Sequence, residues 1–285
     1  MTALASLLEI EQHGQDRFRS SSAPDASSTL SLYGGLVVAQ ALRAAGMTVA
    51  PDRLPHSLHA YFLRPGRVDQ AVELEVERHR NGRAFAARHV RAVQEGKVIV
   101  SVMASFCAPA TEVRHDAVPA QPVDPPDAVQ GRSSPLEVEI REITPTRVGD
   151  GAIRHTDRLW VRADPLPDDP LLHACAIAYV SDLGCGFGQA EIADVGVDGP
   201  SLGHSVWFQA PMRADEWMLL ELWPLTVVGA RGTYQGSLRD SSGVLGAVVT
   251  QEMLLRDRAL APDVVRRMAE YLGVEPPEDP VRRVR

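Results

Sequence analysis

A nearly unbroken apolar run at residues 171–183 constrains this chain more than any other feature, because a single acidic residue, Asp182, lies near its end. The run is too long for a typical buried strand and too short to cross a bilayer, so it predicts one helix that other structure encloses on nearly every side. The C-terminal end of a helix carries partial negative charge, which raises the proton affinity of a nearby carboxylate unless hydrogen-bond donors compensate. Asp182 is therefore a candidate general base. The alternative is an acid at a helix end that faces solvent.

Composition and charge exclude several classes of protein. The chain has 285 residues, of which 45% are hydrophobic, and this is enough apolar material for two modest domains or one large domain. A net charge of −8 at pH 7 argues against non-specific nucleic-acid binding, and no apolar run is long enough to span a membrane. Residues 1–16 lack the basic flank and apolar core of a signal peptide. We therefore expect a cytoplasmic protein that binds neither nucleic acid nor membrane.

The cysteines and histidines form no recognisable disulfide or metal pattern. Cys107, Cys175 and Cys185 are odd in number and lack metal-ligand spacing, so we interpret them as buried thiols. Nine histidines are present without an H-x-x-x-H or H-E-x-x-H pair. The expectation is a protein that uses no metal and no cofactor.

Two stretches of the chain repeat the same order of elements. The turn glycines of two predicted hairpins, Gly96 and Gly243, stand 147 residues apart (243 − 96), and His56 and His204 stand 148 apart (204 − 56). Each histidine follows a helix-like apolar run and precedes the alternation that is typical of paired strands. These near-equal offsets predict a duplicated unit.

Each unit is expected to be an apolar helix enclosed by a curved antiparallel sheet, which is an α+β architecture. At the 147-residue offset the first-half counterpart of Asp182 is Gly35, so we expect one site per chain. Prolines interrupt residues 109–135, which indicates a linker, and a capped helix is expected at residues 262–272. The predicted organisation is an N-terminal unit at residues 1–108, a proline-rich linker at 109–134, a C-terminal unit at 135–256 and a C-terminal helix and tail at 257–285.

Several sequence blocks, in the same order, resemble those of the type II acyl-CoA thioesterases, the TesB-like family. The blocks are residues 33–41, 56–66, 178–183, 201–208, 229–232 and 249–252. The resemblance implies a double hot-dog fold, with two tandem units whose sheets pair side by side. It also implies hydrolysis of acyl-CoA to free fatty acid and coenzyme A, with coenzyme A as part of the substrate, and assembly into dimers or tetramers.

In this family an Asp, a Thr or Ser, and a Gln together hold the attacking water. The resemblance places these roles on Asp182, Ser201 and Gln251. Ser201 keeps the hydroxyl where the family commonly has Thr, whereas Gly203 and Gln209 depart from an expected Asp and His. Taken without the resemblance, Ser201 is an ordinary loop serine or cap. Gln251 shares strand parity with apolar residues, so its buried amide must find partners or cost about 1–3 kcal/mol.

Other residues are candidates for binding the substrate. Gly34 and Gly35 precede an apolar helix, and backbone N–H groups at such a helix start could polarise the thioester carbonyl. The candidates for an acyl channel are Tyr61, Phe62, Trp207 and Met253. The pool of cations for the coenzyme A phosphates, most of which we expect to be plain solvated arginines, is Arg64, Arg80, Arg83, Arg213 and Arg231. Because each buried methylene adds up to about 0.8 kcal/mol, we expect a preference for medium or longer acyl chains.

Two other functions stay open at this point. An acyl-thioester hydratase or dehydratase on the same fold needs an acid and a histidine, and Asp182 with His204 could supply them. A non-catalytic acyl-CoA binding protein would use Asp182 only structurally. His56, His59 and His204 are otherwise expected to be satisfied core histidines, since all three lie in strand-like segments beside aromatic residues.

Overall fold

The computed structural model describes residues 3–20, 31–108, 116, 120–132, 134, 136–143, 157–184 and 200–255. The first unit contains, in chain order, α1 (Ala3–Leu7), β1 (Ile10–Gly14), β2 (Arg17–Ser20), α2 (Gly34–Gly46), β3 (Leu54–Phe62), β4 (Glu73–Asn81), β5 (Phe85–Gln94) and β6 (Lys97–Cys107). The second unit contains a 3₁₀ turn (Pro126–Ala128), β7 (Gly131–Arg132), β8 (Val138–Glu142), β9 (Asp157–Ala163), α3 (Pro170–Val180), β10 (Ser201–Phe208), β11 (Met218–Val228), β12 (Arg231–Asp240) and β13 (Leu245–Leu254).

Within the described residues, all strands join one antiparallel sheet in the order β1-β2-β4-β5-β6-β3-β10-β13-β12-β11-β9-β8-β7. Read outward from β3, the first unit runs β3-β6-β5-β4-β2-β1, and the second unit repeats this order outward from β10 as β10-β13-β12-β11-β9-β8. The two units meet where β3 pairs with β10. This confirms the predicted α+β architecture of two tandem units that pair side by side.

The two long helices lie antiparallel to each other against one face of the sheet. At one end the N-cap Asp169 of α3 accepts a hydrogen bond from Arg43 of α2 at 2.7 Å. At the other end the hydroxyl of Tyr33, the N-cap of α2, donates to the Tyr179 carbonyl of α3 at 2.7 Å. The N-terminus of each helix therefore lies beside the C-terminus of the other.

Burial explains why α3 lacks a polar face. Every residue of α3 from Leu172 to Val180 is buried, including His173, so the helix needs apolar residues on all sides. On the strands burial alternates instead, as in β5, where Ala86, Arg88 and Val90 face the helices. The core thus lies between the helices and the concave face of the sheet.

The structure corrects the expected counterpart of Asp182. The helix starts, Gly34 and Pro170, differ by 136 residues (170 − 34), and the C-caps, Met47 and Ser181, differ by 134 (181 − 47), although the hairpin turns differ by 147. The residue that follows the C-cap in the first unit is therefore Thr48, and not Gly35. The extra length of the second unit lies in the connection from α3 to β10.

Some expectations fall partly or wholly outside the described residues. The helix predicted at residues 262–272 and the tail from residue 257 lie outside them, as does Cys185, while Cys175 is buried and Cys107 is half-buried. The described part of the predicted linker includes the 3₁₀ turn and β7, which pairs with β8, so this segment also contributes to the sheet. In the described part of the chain, no helix has both the length and the apolar character needed to cross a membrane.

Candidate active site

Asp182 follows the C-cap of α3 and faces the N-terminus of α2. The Gly35 N–H donates a hydrogen bond to the Asp182 carboxylate. A Cβ atom placed on Gly34 would lie 2.8 Å from Asp182 Oδ2 and 2.8 Å from Phe62, and one placed on Gly35 would lie 2.6 Å from the Tyr179 carbonyl oxygen. Only glycine at both positions allows the two helix ends to approach this closely.

Gln251 connects the other two residues of the predicted trio. Its amide nitrogen donates to Ser201 Oγ at 2.6 Å and also to the Asp182 carboxylate. Gln251 lies on β13 and is 3% exposed, while Ser201 begins β10 and is half-buried. The structure therefore brings Asp182, Ser201 and Gln251 together, and it supplies the partners that the buried amide requires.

His204 contacts Gln251 and Ser181 contacts His204; from the sequence, His204 had a role only in the alternative hydratase function and Ser181 had none. His204 Nδ1 lies within hydrogen-bond distance of Gln251 Oε1, and His204 Nε2 lies 2.8 Å from Ser181 Oγ. With the proton on Nδ1, the histidine donates to the amide oxygen and thereby directs the amide nitrogen toward Ser201 and Asp182. His204 is 1% exposed and both of its ring nitrogens are engaged, which confirms the expectation of a satisfied core histidine and gives it a positioning contact.

Burial in the site favours the neutral form of His204 and makes the Asp182 carboxylate more basic. Burial raises the pKa of Asp182, while His204, the Gln251 amide and the Gly35 N–H act in the opposite direction. Burial likewise lowers the pKa of His204, although Asp182 and Gln251 oppose this change. Asp182 keeps part of its surface exposed although protein atoms surround it closely. Such a carboxylate suits the abstraction of a proton from water.

The glycines at the start of α2 lie where the sequence expected them, beside the candidate base. In this structure the Gly35 N–H is engaged by the Asp182 carboxylate, so it orients the base and opposes the rise in its pKa. The positive end of the α2 dipole also points toward this carboxylate. A role of Gly34 and Gly35 in binding a carbonyl oxygen stays a prediction.

Strand parity separates the four residues proposed for the acyl channel. Phe62 reaches the backbone of Gly34, and Met253 is buried and pairs with Ser201, so both lie near Asp182. Tyr61 is 66% exposed and Trp207 is 36% exposed, because their strands turn these positions to the face of the sheet away from the helices. The expectation that Tyr61 and Trp207 line an internal channel is therefore corrected.

The same parity corrects the expectation for one histidine. His59 is exposed on the outer face, where its ring packs against Trp207 and its Nδ1 lies 3.0 Å from Ser205 Oγ. His56 is half-buried and its Nε2 lies 2.8 Å from Ser105 Oγ. Neither histidine contacts the trio.

The five arginines proposed for phosphate binding lie at two opposite ends of the sheet. Arg64 follows the end of β3, and Arg231 begins β12 opposite the end of β13, so both lie at the end that carries Ser201. Arg80, Arg83 and Arg213 lie at the other end. Arg231 donates to Glu252 at 3.0 Å, whereas Arg64 donates to the Val98 carbonyl at 2.7 Å and forms no ion pair with a described residue.

The remaining positions differ in how near they lie to the trio. Among the described residues, the group with the spacing of a metal site is Glu77, His79 and His89, which lies on β4 and β5 with two of its members exposed. Gly203 follows an irregularity in the pairing of β10 with β13, close to Ser201. Gln209 lies beyond the opposite end of β10, so the family departure at this position does not touch the trio.

Comparison with known proteins places the chain in a family. Residues 23–107 match the model of the acyl-CoA thioesterase N-terminal domain, and residues 114–255 match that of the acyl-CoA thioesterase C-terminal domain. The chain is 33% identical to acyl-coenzyme A thioesterase 8 of Homo sapiens over 258 residues, which covers 79% of this chain and 80% of the human protein.

Solved structures agree with this match. The crystal structure of acyl-CoA thioesterase II TesB2 from Mycobacterium marinum is similar with a TM-score of 0.75 and 37% identity, covering 89% of this chain and 98% of that chain. A protein of unknown function with a hot-dog fold from Alicyclobacillus acidocaldarius also has a TM-score of 0.75, at 20% identity, covering 90% of this chain and 98% of that chain. The double hot-dog fold expected from the resemblance is confirmed.

Proposed function

The chain belongs to the TesB-like acyl-CoA thioesterase family and is a thioester hydrolase, and from this premise we propose that it hydrolyses medium- to long-chain acyl-CoA by direct attack of a water molecule that Asp182, Ser201 and Gln251 position. The observation that carries the proposal is the Gln251 amide, which binds both Ser201 and Asp182 while His204 fixes its orientation. The Gln251 amide and the Gly35 N–H thus both donate to one partly exposed carboxylate.

The proposed reaction needs no covalent enzyme intermediate. Asp182 takes one proton from the water as its oxygen bonds to the thioester carbonyl carbon, and the carbonyl electrons move to the oxygen. When these electrons return, the carbon–sulfur bond breaks and the departing thiolate takes the proton from Asp182. The products are the free fatty acid and coenzyme A, and the carboxylate is restored. Ser201 and Gln251 hold the water in the geometry for attack, a contribution that depends on close positioning.

The acyl chain would extend from Asp182 into the apolar interior. Phe62 and Met253 are the candidate channel residues that the structure leaves near the carboxylate. Each methylene that leaves water can add up to about 0.8 kcal/mol to binding, so affinity should rise with chain length until the channel is filled.

Arg64 is the arginine that the structure favours for the coenzyme A phosphates. It lies at the end of the sheet that carries Ser201, it is exposed, and no described carboxylate pairs with it. Arginine binds phosphate through its planar set of donors. We propose that Arg64 binds a phosphate of coenzyme A outside the acyl channel.

The geometry argues against a hydratase or dehydratase. In such an enzyme a histidine must face the substrate, but His204 is 1% exposed and both of its nitrogens contact Ser181 and Gln251. The histidine is therefore a positioning group. Release of free thiol from acyl-CoA, without a hydrated product, distinguishes hydrolysis from hydration and from binding alone.

A panel of saturated acyl-CoAs from acetyl to palmitoyl, assayed by thiol release below micelle formation, tests the proposal directly. We expect kcat/KM to climb with chain length and then level off. A maximum at acetyl-CoA with a steady decline thereafter would contradict the apolar channel and favour a short-chain enzyme.

Assembly and location stay proposals. The outer face of the central strands exposes Tyr61, Met103 and Trp207, and large exposed apolar side chains on one face are typical of surfaces that pair with another subunit. We propose a homo-oligomer, a dimer or tetramer, that acts in the cytoplasm in fatty acid metabolism. Size-exclusion chromatography with light scattering tests the assembly.

A further inference from the structure

A cavity lies at the opposite end of the two long helices from Asp182. It has a volume of about 330 Å³ and adjoins the N-terminal half of α3. Its apolar lining includes Leu54, Pro170, Ile177, Phe208 and Met212. This size falls at the lower end of the range for small-molecule pockets, about 300–1,000 Å³.

The cavity occupies the place where the internal duplication would put a second acyl site. The Asp182 site lies at the start of α2, between the end of β3 and the start of β10. The cavity lies at the start of α3, between the start of β3 and the end of β10, because Leu54 and Phe208 both line it. The cavity therefore occupies, relative to α3, the same place that the Asp182 site occupies relative to α2.

The hydrolytic groups are missing from this second position. Thr48 stands where Asp182 stands in the other unit, and its hydroxyl accepts a hydrogen bond from Arg88 at 2.7 Å. His56, the counterpart of His204, contacts Ser105, where His204 contacts the Gln251 amide. The cavity therefore has the place of an acyl site but no carboxylate at the position of Asp182. Its lining also includes Gln209 and Asp168, and Asp168 pairs with Arg213.

His173 belongs to the wall of the cavity and carries a covered polar atom that lacks a partner among the described residues. It is 4% exposed, and its Nδ1 accepts a hydrogen bond from the Ala214 N–H at 3.2 Å, so the proton of the neutral ring lies on Nε2. Within the described part of the chain, Nε2 has no hydrogen-bond partner. Burial lowers the pKa of His173, which keeps the ring neutral. A buried donor without an acceptor costs about 1–3 kcal/mol, and His173 lines the cavity.

We propose that this cavity binds an aliphatic acyl chain whose neutral carbonyl oxygen accepts a hydrogen bond from His173 Nε2–H, and that it does so without hydrolysing it. The choice of an acyl chain rests on the proposed function, whereas the apolar cavity and the unpartnered donor do not. A neutral oxygen is favoured over a carboxylate because one neutral donor poorly compensates a buried charge. The cation on the rim, Arg213, is already paired with Asp168 at 2.9 Å and Asp215 at 2.9 Å.

Calorimetric titration with 2-decanone, a neutral carbonyl that the enzyme cannot hydrolyse, tests the proposal. Ala174→Phe fills the cavity, since Ala174 lines it, and His173→Phe removes the donor while keeping a similar shape. We expect Ala174→Phe to abolish one binding event per chain and His173→Phe to weaken it about tenfold. His79→Phe, on β4 away from the cavity, is the matched control and should leave binding unchanged.

Further measurements identify the source of the carbonyl and separate this proposal from the proposed function. Decanoate should bind the cavity at least about tenfold more weakly than 2-decanone. Titration of decanoyl-CoA into Asp182→Asn should show two binding events per chain if the thioester itself enters the cavity, and one if only free neutral lipids do. Thiol release by Ala174→Phe and His173→Phe should stay within about twofold of wild type.

Unchanged binding of 2-decanone in both cavity variants, with thermal midpoints retained, would overturn the second site while leaving hydrolysis intact. A parallel loss of thiol release in both variants would also overturn it, because the cavity would then belong to the channel of the reaction itself. If Ala174→Phe does not fold, His173→Phe alone decides: an affinity within about twofold of wild type would contradict the proposal.

Discussion

The C-terminal ends of the two long helices differ: one makes a structural contact with a buried arginine, and the other holds the candidate base. At the end of α2, the buried side chain of Arg88 donates to Thr48 Oγ1 at 2.7 Å and to the Thr48 carbonyl at 2.9 Å. At the end of α3, a carboxylate stands instead and the neighbouring groups are hydroxyl, imidazole and amide. A cation meets the negative end of one helix dipole, whereas an acid meets the other.

This difference has opposite energetic consequences. Arg88 uses the helix end as a partner and thereby stabilises the first unit, since its nitrogens also bind the Asn81 side chain and the Arg80 carbonyl. Burial raises the pKa of the Asp182 carboxylate, while the Gly35 N–H at the start of α2 and the Gln251 amide only partly oppose this rise. One helix end thus holds a structural contact and the other holds the proposed base, so substitutions at the two ends test the comparison directly.

The largest expected effect is on catalysis at the Asp182 end. Asp182→Asn keeps the size and most hydrogen bonds of the side chain but removes the base, so thiol release should fall by at least about a hundredfold while the protein stays folded. Asp127→Asn, at an exposed carboxylate on the 3₁₀ turn, is the matched control and should behave as wild type. Nearly full turnover of Asp182→Asn with an unchanged thermal midpoint would show that another group is the base.

The next effect is on stability at the other end. Arg88→Met leaves the acceptors at Thr48, Asn81 and Arg80 without their buried donor, so the free energy of unfolding should fall by about 2–4 kcal/mol. Turnover per folded molecule should not change. Urea denaturation measures the effect, and Arg78→Met, which removes an exposed pair with Asp16, should cost less than about 1 kcal/mol. Equal losses from the two variants would contradict the structural role of Arg88.

Much of this contrast could not be predicted from the sequence. The order of blocks predicted the fold and placed Asp182, Ser201 and Gln251, which the structure brings together. The 147-residue offset comes from strands and turns and does not hold for the helices. Applied to Asp182, it therefore points to Gly35, whereas the helix ends point to Thr48. The added length lies between helix and strand, where no periodic pattern marks it.

Long-range pairing explains the other differences. The contact of His204 with Gln251 depends on the register of β10 against β13, two strands that are distant in sequence, and no local pattern fixes such a register. The sequence offers Tyr61 and Trp207 as channel candidates, but strand parity turns both side chains to the outer face. The arginines could be divided into two sets only after the strand order was known.

Substitution of the water-holding amide should have an intermediate effect. Gln251→Ala should lower kcat about tenfold or more with little change in KM, because the amide is proposed to hold water and not the acyl chain. Ser105→Ala, the corresponding partner of His56 at the other end, should leave kcat unchanged. Ser201→Thr should retain much activity and Ser201→Ala should lose most of it, so equal rates for these two variants would remove the hydroxyl from the mechanism.

A smaller effect is expected on recognition of coenzyme A. Arg64→Gln should raise KM for acyl-CoA about fivefold with little change in kcat, since the contact is proposed to be with a phosphate far from the reacting bond. Arg83→Gln removes an exposed arginine at the opposite end of the sheet and serves as the control. If Arg83→Gln raised KM more than Arg64→Gln, the phosphates would bind at the opposite end of the sheet and the proposal for Arg64 would be wrong.

The smallest effect concerns the stability of the protein as a function of pH. Burial raises the pKa of Asp182 in the folded protein above its value in the unfolded chain, which is about 3.9. The folded state therefore binds a proton that the unfolded state has already lost, so the contribution of this group to stability is fully present below about pH 3.9 and is lost as pH rises through the folded pKa. Asn at this position cannot titrate. The free energy of unfolding of Asp182→Asn should thus increase relative to that of wild type as pH rises from 4, and the difference should level off above the folded pKa.

Thr48→Val, the corresponding change at the end of α2, is the control. It carries no ionisable group, so its difference from wild type in free energy of unfolding should not vary with pH. Urea denaturation at several pH values measures both differences, and a flat difference for Asp182→Asn would mean that the Gly35 N–H and the Gln251 amide fully offset burial, which would weaken the case for Asp182 as an unusually basic carboxylate.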